Sequence, residues 1–204
     1  MLIDAFLTAN GLADDDLAAF KAALQPLHIK KGTEWIHSGQ VARHIALVES
    51  GYLRTYHLNE AGEEITTTFN IPATFCGAFH SFYTQSPAFE YIEAITESDV
   101  YLLSFTALQK MYAKSFRINV FGRKILEQSC IERDLRLKKI LHLSAVEKYN
   151  WFMENFSAVY QVAKVGSIAS FLGMKPETLS RVRRKMLPGQ PESIRVATNK
   201  KGPK

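Results

Sequence analysis

Apolar residues follow three successive rhythms along this chain. Up to Pro26 they keep a helical spacing. Leu12, Leu17, Phe20 and Leu24 share one face, and Asp14, Asp15 and Asp16 stand where a helix N-terminus favours negative charge. The pattern predicts helix over residues 1–25, ended by Pro26. From Leu27 to about Phe105 the rhythm shortens to brief apolar runs separated by glycine turns at Lys31-Gly32, Ser38-Gly39, Ser50-Gly51, Ala61-Gly62 and Cys76-Gly77. Strands are predicted at 44–48, 52–58, 63–70, 91–94 and 100–105, with β-branched Thr66, Thr67 and Thr68 inside the third. Short strands at such intervals form a sandwich or small barrel, here a β-roll. Helical spacing returns near Leu108 and runs to about Leu143. Phe116, Val120, Leu126, Cys130, Leu137 and Leu141 form a roughly heptad stripe. Such a stripe either packs on the β domain or pairs with a second copy of itself, and the second is the expectation. A further helix is predicted over 144–156, with Ala145, Tyr149, Phe152 and Phe156 on one face.

The most specific stretch is KVGSIASFLGMKPETLSRVRRKML, from Lys164 to Leu187. Ile168 and Leu172 lie one turn apart, and Ala169 is small where a second helix must come close. Gly173 ends the first helix, and Pro176 suits the first position of the next. Leu179, Val182 and Met186 make the apolar stripe of that second helix. This is the pattern of a helix-turn-helix. Glu177, Ser180, Arg181 and Arg184 share its opposite face. Arginine can grip the O6 and N7 edge of guanine, and glutamate can accept from the cytosine amino group. Glu177, Ser180 and Arg181 are therefore the expected base readers. Lys164, Lys175, Thr178, Arg183, Arg184 and Lys185 are expected to meet phosphates or support the readers. Lys175 stands at the expected N-cap, where serine or threonine is preferred.

Charge agrees with this assignment. From Leu143 onward there are 11 Lys and Arg against 4 Asp and Glu, whereas the preceding part has 14 against 16. The basic excess belongs to the C-terminal part and suits a polyanion partner. Among 204 residues there are two cysteines, Cys76 and Cys130, which argues against a disulfide framework, a zinc site or a cysteine-ligated iron–sulfur cluster. No signal peptide and no membrane-length apolar run is visible, so the expected location is the cytoplasm.

The order of helix, glycine-punctuated roll, long helix and C-terminal helix-turn-helix resembles the cyclic-AMP receptor / fumarate-nitrate reduction regulator family of bacterial transcription factors. The likeness is sharpest in IASFLGMKPETLSRVRRKML. There Glu177, Ser180 and Arg181 match the E-x-x-S-R reading pattern of the fumarate-nitrate branch. SAVEKY resembles the motif that opens the family's DNA-binding domain, and Gly32, Gly39, Gly51 and Gly62 match its turn glycines. The resemblance implies an α+β protein in two parts. Residues 1–142 would form a cyclic nucleotide-binding-like antiparallel β-roll (a double-stranded β-helix) with a long dimerisation helix over about 108–142. Residues 143–204 would form a winged helix-turn-helix. It further implies a homodimer on a palindromic double-stranded operator, with RNA polymerase as a partner.

The departures concern the signal. Nucleotide-binding members carry Gly-Glu followed, about ten residues on, by an arginine that neutralises the cyclic phosphate. Here Ala78 follows Gly77, no arginine lies between Arg54 and Arg117, and Glu90 and Glu93 occupy the neighbourhood. Cyclic AMP is not expected. An aromatic cassette with Phe75, Gly77, Ala78, Phe79, Phe89 and Tyr91 is either an effector pocket for an apolar or planar ligand or a filled core. Haem through His57 or His80 is not expected, since a single aromatic-flanked histidine is usually structural. Two other readings compete. A cupin-like metalloenzyme would want histidines two apart, which the six present do not supply. A constitutive DNA-binding protein would keep the roll only to support the dimer. After Met186, only Ile194–Ala197 suggests a wing strand, and Asn199–Lys204 reads as a basic tail.

Overall fold

The structure is a computed structural model that describes residues 2–186. The wing and tail expected after Met186 lie outside the described residues. Helices α1 (Leu2–Ala9) and α2 (Asp14–Ala22) precede strands β1 (Gln25–Ile29), β2 (Glu34–Ile36), β3 (His44–Ser50), β4 (Leu53–Leu58), β5 (Glu64–Asn70) and β6 (Phe75–Cys76). Helix α3 (Phe79–Thr84) separates these from β7 (Tyr91–Ala94) and β8 (Ser98–Ser104). Five helices follow: α4 (Phe105–Lys114), α5 (Phe116–His142), α6 (Ala145–Val162), α7 (Val165–Phe171) and α8 (Pro176–Met186).

The strands form two four-stranded antiparallel sheets, ordered β1-β8-β3-β6 and β2-β7-β4-β5. Their facing sides enclose the main core, which includes Ile45, Leu47, Leu53, Ile92, Ala94, Val100 and Leu103. Glycine does what the sequence assigned to it at the tight corners. Gly51 has φ +82, and a Cβ there would lie 2.2 Å from Ser98 Oγ. Gly77 keeps an ordinary φ but is small for another reason, because a Cβ would sit 2.8 Å from Ile45 Cγ2.

Several boundaries differ from the sequence expectation. The N-terminal helix is two helices, broken at Gly11 with φ +96. Pro26 does not end a helix; it lies in β1, an edge strand, where a missing N–H is tolerated. The long helix begins later than Leu108. Ser115 closes α4 with its N–H on Met111 O and opens α5 by accepting from Ile118 N. Strands β1, β2 and β6 were too short or too polar to announce themselves. The expected helix from 144 runs on to Val162, with a kink at Phe156.

A second core joins the C-terminal helices to the roll. Phe152, Val159, Ile168, Ala169, Phe171, Leu172 and Leu179 cluster with Phe69 and Ile95 of the roll. Phe69 meets Phe152, Phe156 and Phe171 at centroid distances of 5.9, 6.4 and 5.0 Å.

The two glycine corners generate a stability test. Gly62 has φ +77 but open space around it, so Gly62→Ala should cost only the left-handed penalty of about 1–2 kcal/mol. Gly51→Ala meets Ser98 and the Glu97 carbonyl as well and should lower the urea midpoint clearly further. Equal midpoints for the two variants would refute the packing constraint at Gly51.

Candidate nucleic-acid interface and roll pocket

The candidate reading head is assembled by α6, α7 and α8. Ser144 starts α6 with a capping box: its Oγ accepts from Glu147 N, and the Glu147 carboxylate accepts from Ser144 N at 2.8 Å. That carboxyl is held below the usual range, first by its hydrogen bond with the Ser144 side chain and then by that with the Ser144 backbone. Helix α7 ends at Gly173, whose φ of +61 lets Met174 N reach back to Ala169 O at 3.0 Å. Ile168, Ala169, Leu172, Leu179 and Val182 are buried between the helices as the spacing predicts. Met186, the third member of the α8 stripe, is not; it is exposed at the end of the helix.

Burial sorts the candidate DNA residues. Glu177, Arg181, Arg184 and Lys185 are exposed on α8, with Ser180 and Thr178 half-buried beside them. Lys175 is exposed just ahead of α8, and Lys164 is exposed at the N-cap of α7. Of the residues expected to meet phosphates or support the readers, Arg183 is turned inward. It is half-buried with its guanidinium 4.9 Å from the Tyr160 ring of α6, so it ties α8 to α6 rather than standing free for a phosphate. Tyr160 in turn meets Tyr149 edge-on at 6.2 Å, and burial pushes the Tyr149 hydroxyl up to about 12.

The expected pocket residues are not gathered around one cavity. Phe75 sits between Phe6 of α1 and Phe121 of α5, at 6.0 and 6.4 Å. Gly77 and Ala78 are buried, with Ala78 fully enclosed at the start of α3. Phe79 lies under the Arg133 guanidinium of α5 at 5.6 Å. Phe89 is 56% exposed against His80. Tyr91 stacks on Tyr56 at 5.1 Å, on the strand face opposite Ile92 and Ala94 and so away from the main core. The residues present do not fit a cyclic phosphate. Ala78 offers no carboxylate, and no arginine lies between Arg54 and Arg117 to neutralise the phosphate. Cys76 is buried in the roll, where desolvation raises its thiol far above the ordinary range, and Cys130 is exposed on α5.

Sequence reasoning missed the contact between head and roll. Arg54 of β4 is only 2% exposed. Its Nε donates to Glu93 Oε2 at 2.8 Å, its Nη2 to Glu64 Oε2 at 2.5 Å, and its Nη1 to Ser167 Oγ of α7 at 2.9 Å. Its guanidinium also lies 4.3 Å from the Tyr56 ring, whose hydroxyl donates to Glu34. Burial works against the charge, but its hydrogen bonds to the Glu64 and Glu93 carboxylates more than offset it, so the Arg54 pKa lies above its ordinary value. Beside it, Ser170 Oγ accepts from Thr66 N at 3.1 Å, and Arg136 of α5 donates to Phe171 O at 2.8 Å.

Among the described residues no helix is long and apolar enough to cross a membrane, and no group of three or more His, Cys, Asp or Glu could hold a metal ion. Residues 26–115 match the model of the cyclic nucleotide-binding domain. The chain is 25% identical over 166 residues to an anaerobic regulatory protein of Pasteurella multocida, covering 76% of this chain and 60% of that one. It is 24% identical over 165 residues to regulatory protein HlyX of Actinobacillus pleuropneumoniae, covering 76% and 68%. The chain thus spans under two thirds of the length of the first of these relatives. In structure it resembles FixK2 of Bradyrhizobium japonicum with a TM-score of 0.66 at 19% identity, covering 82% of this chain and 89% of that one. A proposed transcriptional regulator of the crp/fnr family from Eubacterium rectale gives 0.66 at 23%, covering 87% and 84%. These structural likenesses carry the fold, and the curated relatives are regulators rather than enzymes. By domain, by relatives and by architecture, the chain is similar to regulators of the crp/fnr family.

Proposed function

We propose that this regulator binds DNA in a sequence-specific way, as a homodimer that presents one α8 to each half of a palindromic operator. The observation that carries the reading is the division of α8. Leu179 and Val182 are buried, while Glu177, Arg181 and Arg184 are exposed together on the other face. Ser180 and Arg181 sit beside Glu177 in the family's reading arrangement, and Lys164, Lys175, Arg184 and Lys185 surround them for phosphates. RNA polymerase is the further partner that the family resemblance suggests. A division at residues 142 and 143, between the roll with its long helix and the reading head, is supported by the Leu143 break between α5 and α6.

The effector is something other than cyclic AMP, or there is none. Ala78 and the lack of any arginine between Arg54 and Arg117 favour that reading over a cyclic phosphate. Dimerisation is supported by α5, whose Leu126, Ile131, Leu135, Leu137 and Leu141 remain exposed. A groove of about 380 Å³ elsewhere, beside Arg43 and His44 at the start of α4, is polar and offers no such face.

Binding selection from a random-sequence duplex library tests the function directly. The wild type should enrich a two-fold symmetric site, and affinity should fall steeply as salt rises from 50 to 200 mM, by about a hundredfold or more. Arg181→Ala should flatten base preference within each half-site by about 1–3 kcal/mol per lost contact while leaving thermal stability unchanged. Arg183→Ala should do the reverse, lowering stability by about 0.5–1 kcal/mol through loss of its Tyr160 contact. Unaltered preference in Arg181→Ala would remove the reading assignment.

The dimer has its own test. If α5 pairs with its copy in parallel along the stripe, Cys130 faces its counterpart across the seam. Mild oxidation should then give a disulfide-linked dimer that Cys130→Ser abolishes and Cys76→Ser retains, since Cys76 is buried. Failure of the wild type to cross-link would exclude that pairing.

A further inference from the structure

We propose that Arg54 is a positioning residue for DNA recognition: through Ser167 it pins the reading head to the β-roll and fixes where α8 stands relative to the dimer seam. The inference rests on the DNA-reading function above and goes beyond it by naming what sets the geometry of the head.

Four separate contacts hold the head against the roll and α5. Arg54 Nη1 donates to Ser167 Oγ, and Thr66 N donates to Ser170 Oγ. Arg136 donates to Phe171 O, with its guanidinium 4.3 Å from the Phe171 ring. Phe69 packs against Phe171, Phe152 and Phe156. The residues used belong to the roll-facing side of α7. Ile168, Ala169 and Leu172 are buried instead inside the helix-turn-helix. Docking and reading therefore use different faces of the head, so the docked head keeps Glu177 and Arg181 exposed.

Arginine is the residue this joint requires. A guanidinium has five donors in a fixed fork, so it can hold two carboxylates and still direct one N–H at a hydroxyl on another element. Lysine has no such planar fork. Glu93, one of the two carboxylates, lies on β7 between Ile92 and Ala94, which face the main core. A shift of β7 caused by anything bound in the roll would move Glu93, then Arg54, then Ser167. The remaining covalent tie to the long helix is the Leu143 break between α5 and α6. A head released from the roll would swing about that break and lose orientational freedom on binding two half-sites at one fixed spacing. A docked head has already lost it.

The test uses Ser167→Asp in the full chain. A third carboxylate against Glu64 and Glu93 should undock α7 without entering the helix-turn-helix core. Ser167→Ala is the milder companion, and Arg54→Lys tests the fork. Undocking is read by hydrogen exchange at the Thr66 amide, which should become at least about tenfold faster in Ser167→Asp. DNA recognition is read with a palindromic duplex, a duplex with one half-site, and palindromes with altered spacing. The expected result is about tenfold weaker binding to the correct palindrome, unchanged binding to the single half-site and relaxed spacing preference. Arg54→Lys should rescue incompletely. Rapid Thr66 exchange with unchanged or tighter palindrome binding would overturn the proposal, and so would slow exchange in Ser167→Asp. A wild type that binds no DNA sequence selectively would sink the function itself, while the exchange data would still judge the joint.

Discussion

An open sheet must do something with its edges, and that constraint places the reading head. β5 is the edge of the second sheet, a seven-residue strand rich in threonine. An uncovered edge of this kind invites pairing with another chain. Here the Thr66 N–H is taken by Ser170 of α7, and the Thr66 carbonyl lies 3.5 Å from an Arg136 donor of α5. The neighbouring Phe69 ring is covered by Phe152, Phe156 and Phe171. Covering the edge and docking the head are one event. The roll borrows the head to finish its sheet, and the head borrows Phe69 and Ile95 to finish its core. Once those surfaces are shared, the orientation of α8 follows from the geometry of β5.

Local pattern was enough for much of this fold. Strands β3, β4, β5, β7 and β8 announce themselves as short apolar or β-branched runs, and α7 and α8 by their glycine, proline and paired apolar stripes. What failed locally was short or interrupted. β2 has three residues and β6 two, too few for a period to show. The break at Ser115 was hidden because the apolar spacing continues across it, and only the capping geometry reveals it. Pro26 read as a helix stop because its tolerance at a sheet edge depends on a neighbour, β8, more than 70 residues away.

The candidate sites show the same division. The exposed face of α8 follows from helical geometry alone, so Glu177, Arg181 and Arg184 were legible. The Arg54 joint was not, since its partner Ser167 lies 113 residues along the chain and each residue is ordinary in its own context. The aromatic cassette left pocket and filled core open for a related reason. Six residues close in sequence are sent to different places by a strand, a short helix and a second strand. Phe75 goes to α1 and α5, Phe79 to Arg133, and Tyr91 to the far face beside Arg54. Aromatic density in a sequence is no measure of a pocket when alternate positions of β7 face opposite ways.

The run Arg181, Arg183, Arg184, Lys185 carries the same lesson down to single residues. A helix turns about 100° per residue, so neighbours in a charged run cannot all serve one partner. Arg181 and Arg184 are three apart and share the exposed face, whereas Arg183 rotates back toward α6 and finds the Tyr160 ring. Desolvating a guanidinium over an aromatic ring is tolerable where a bare ammonium would be costlier, because arginine is weakly hydrated and planar. The charge run therefore does two jobs. Part of it faces outward, where the proposed DNA would lie, and part secures α8 against α6. Net charge alone would have credited all of it to DNA.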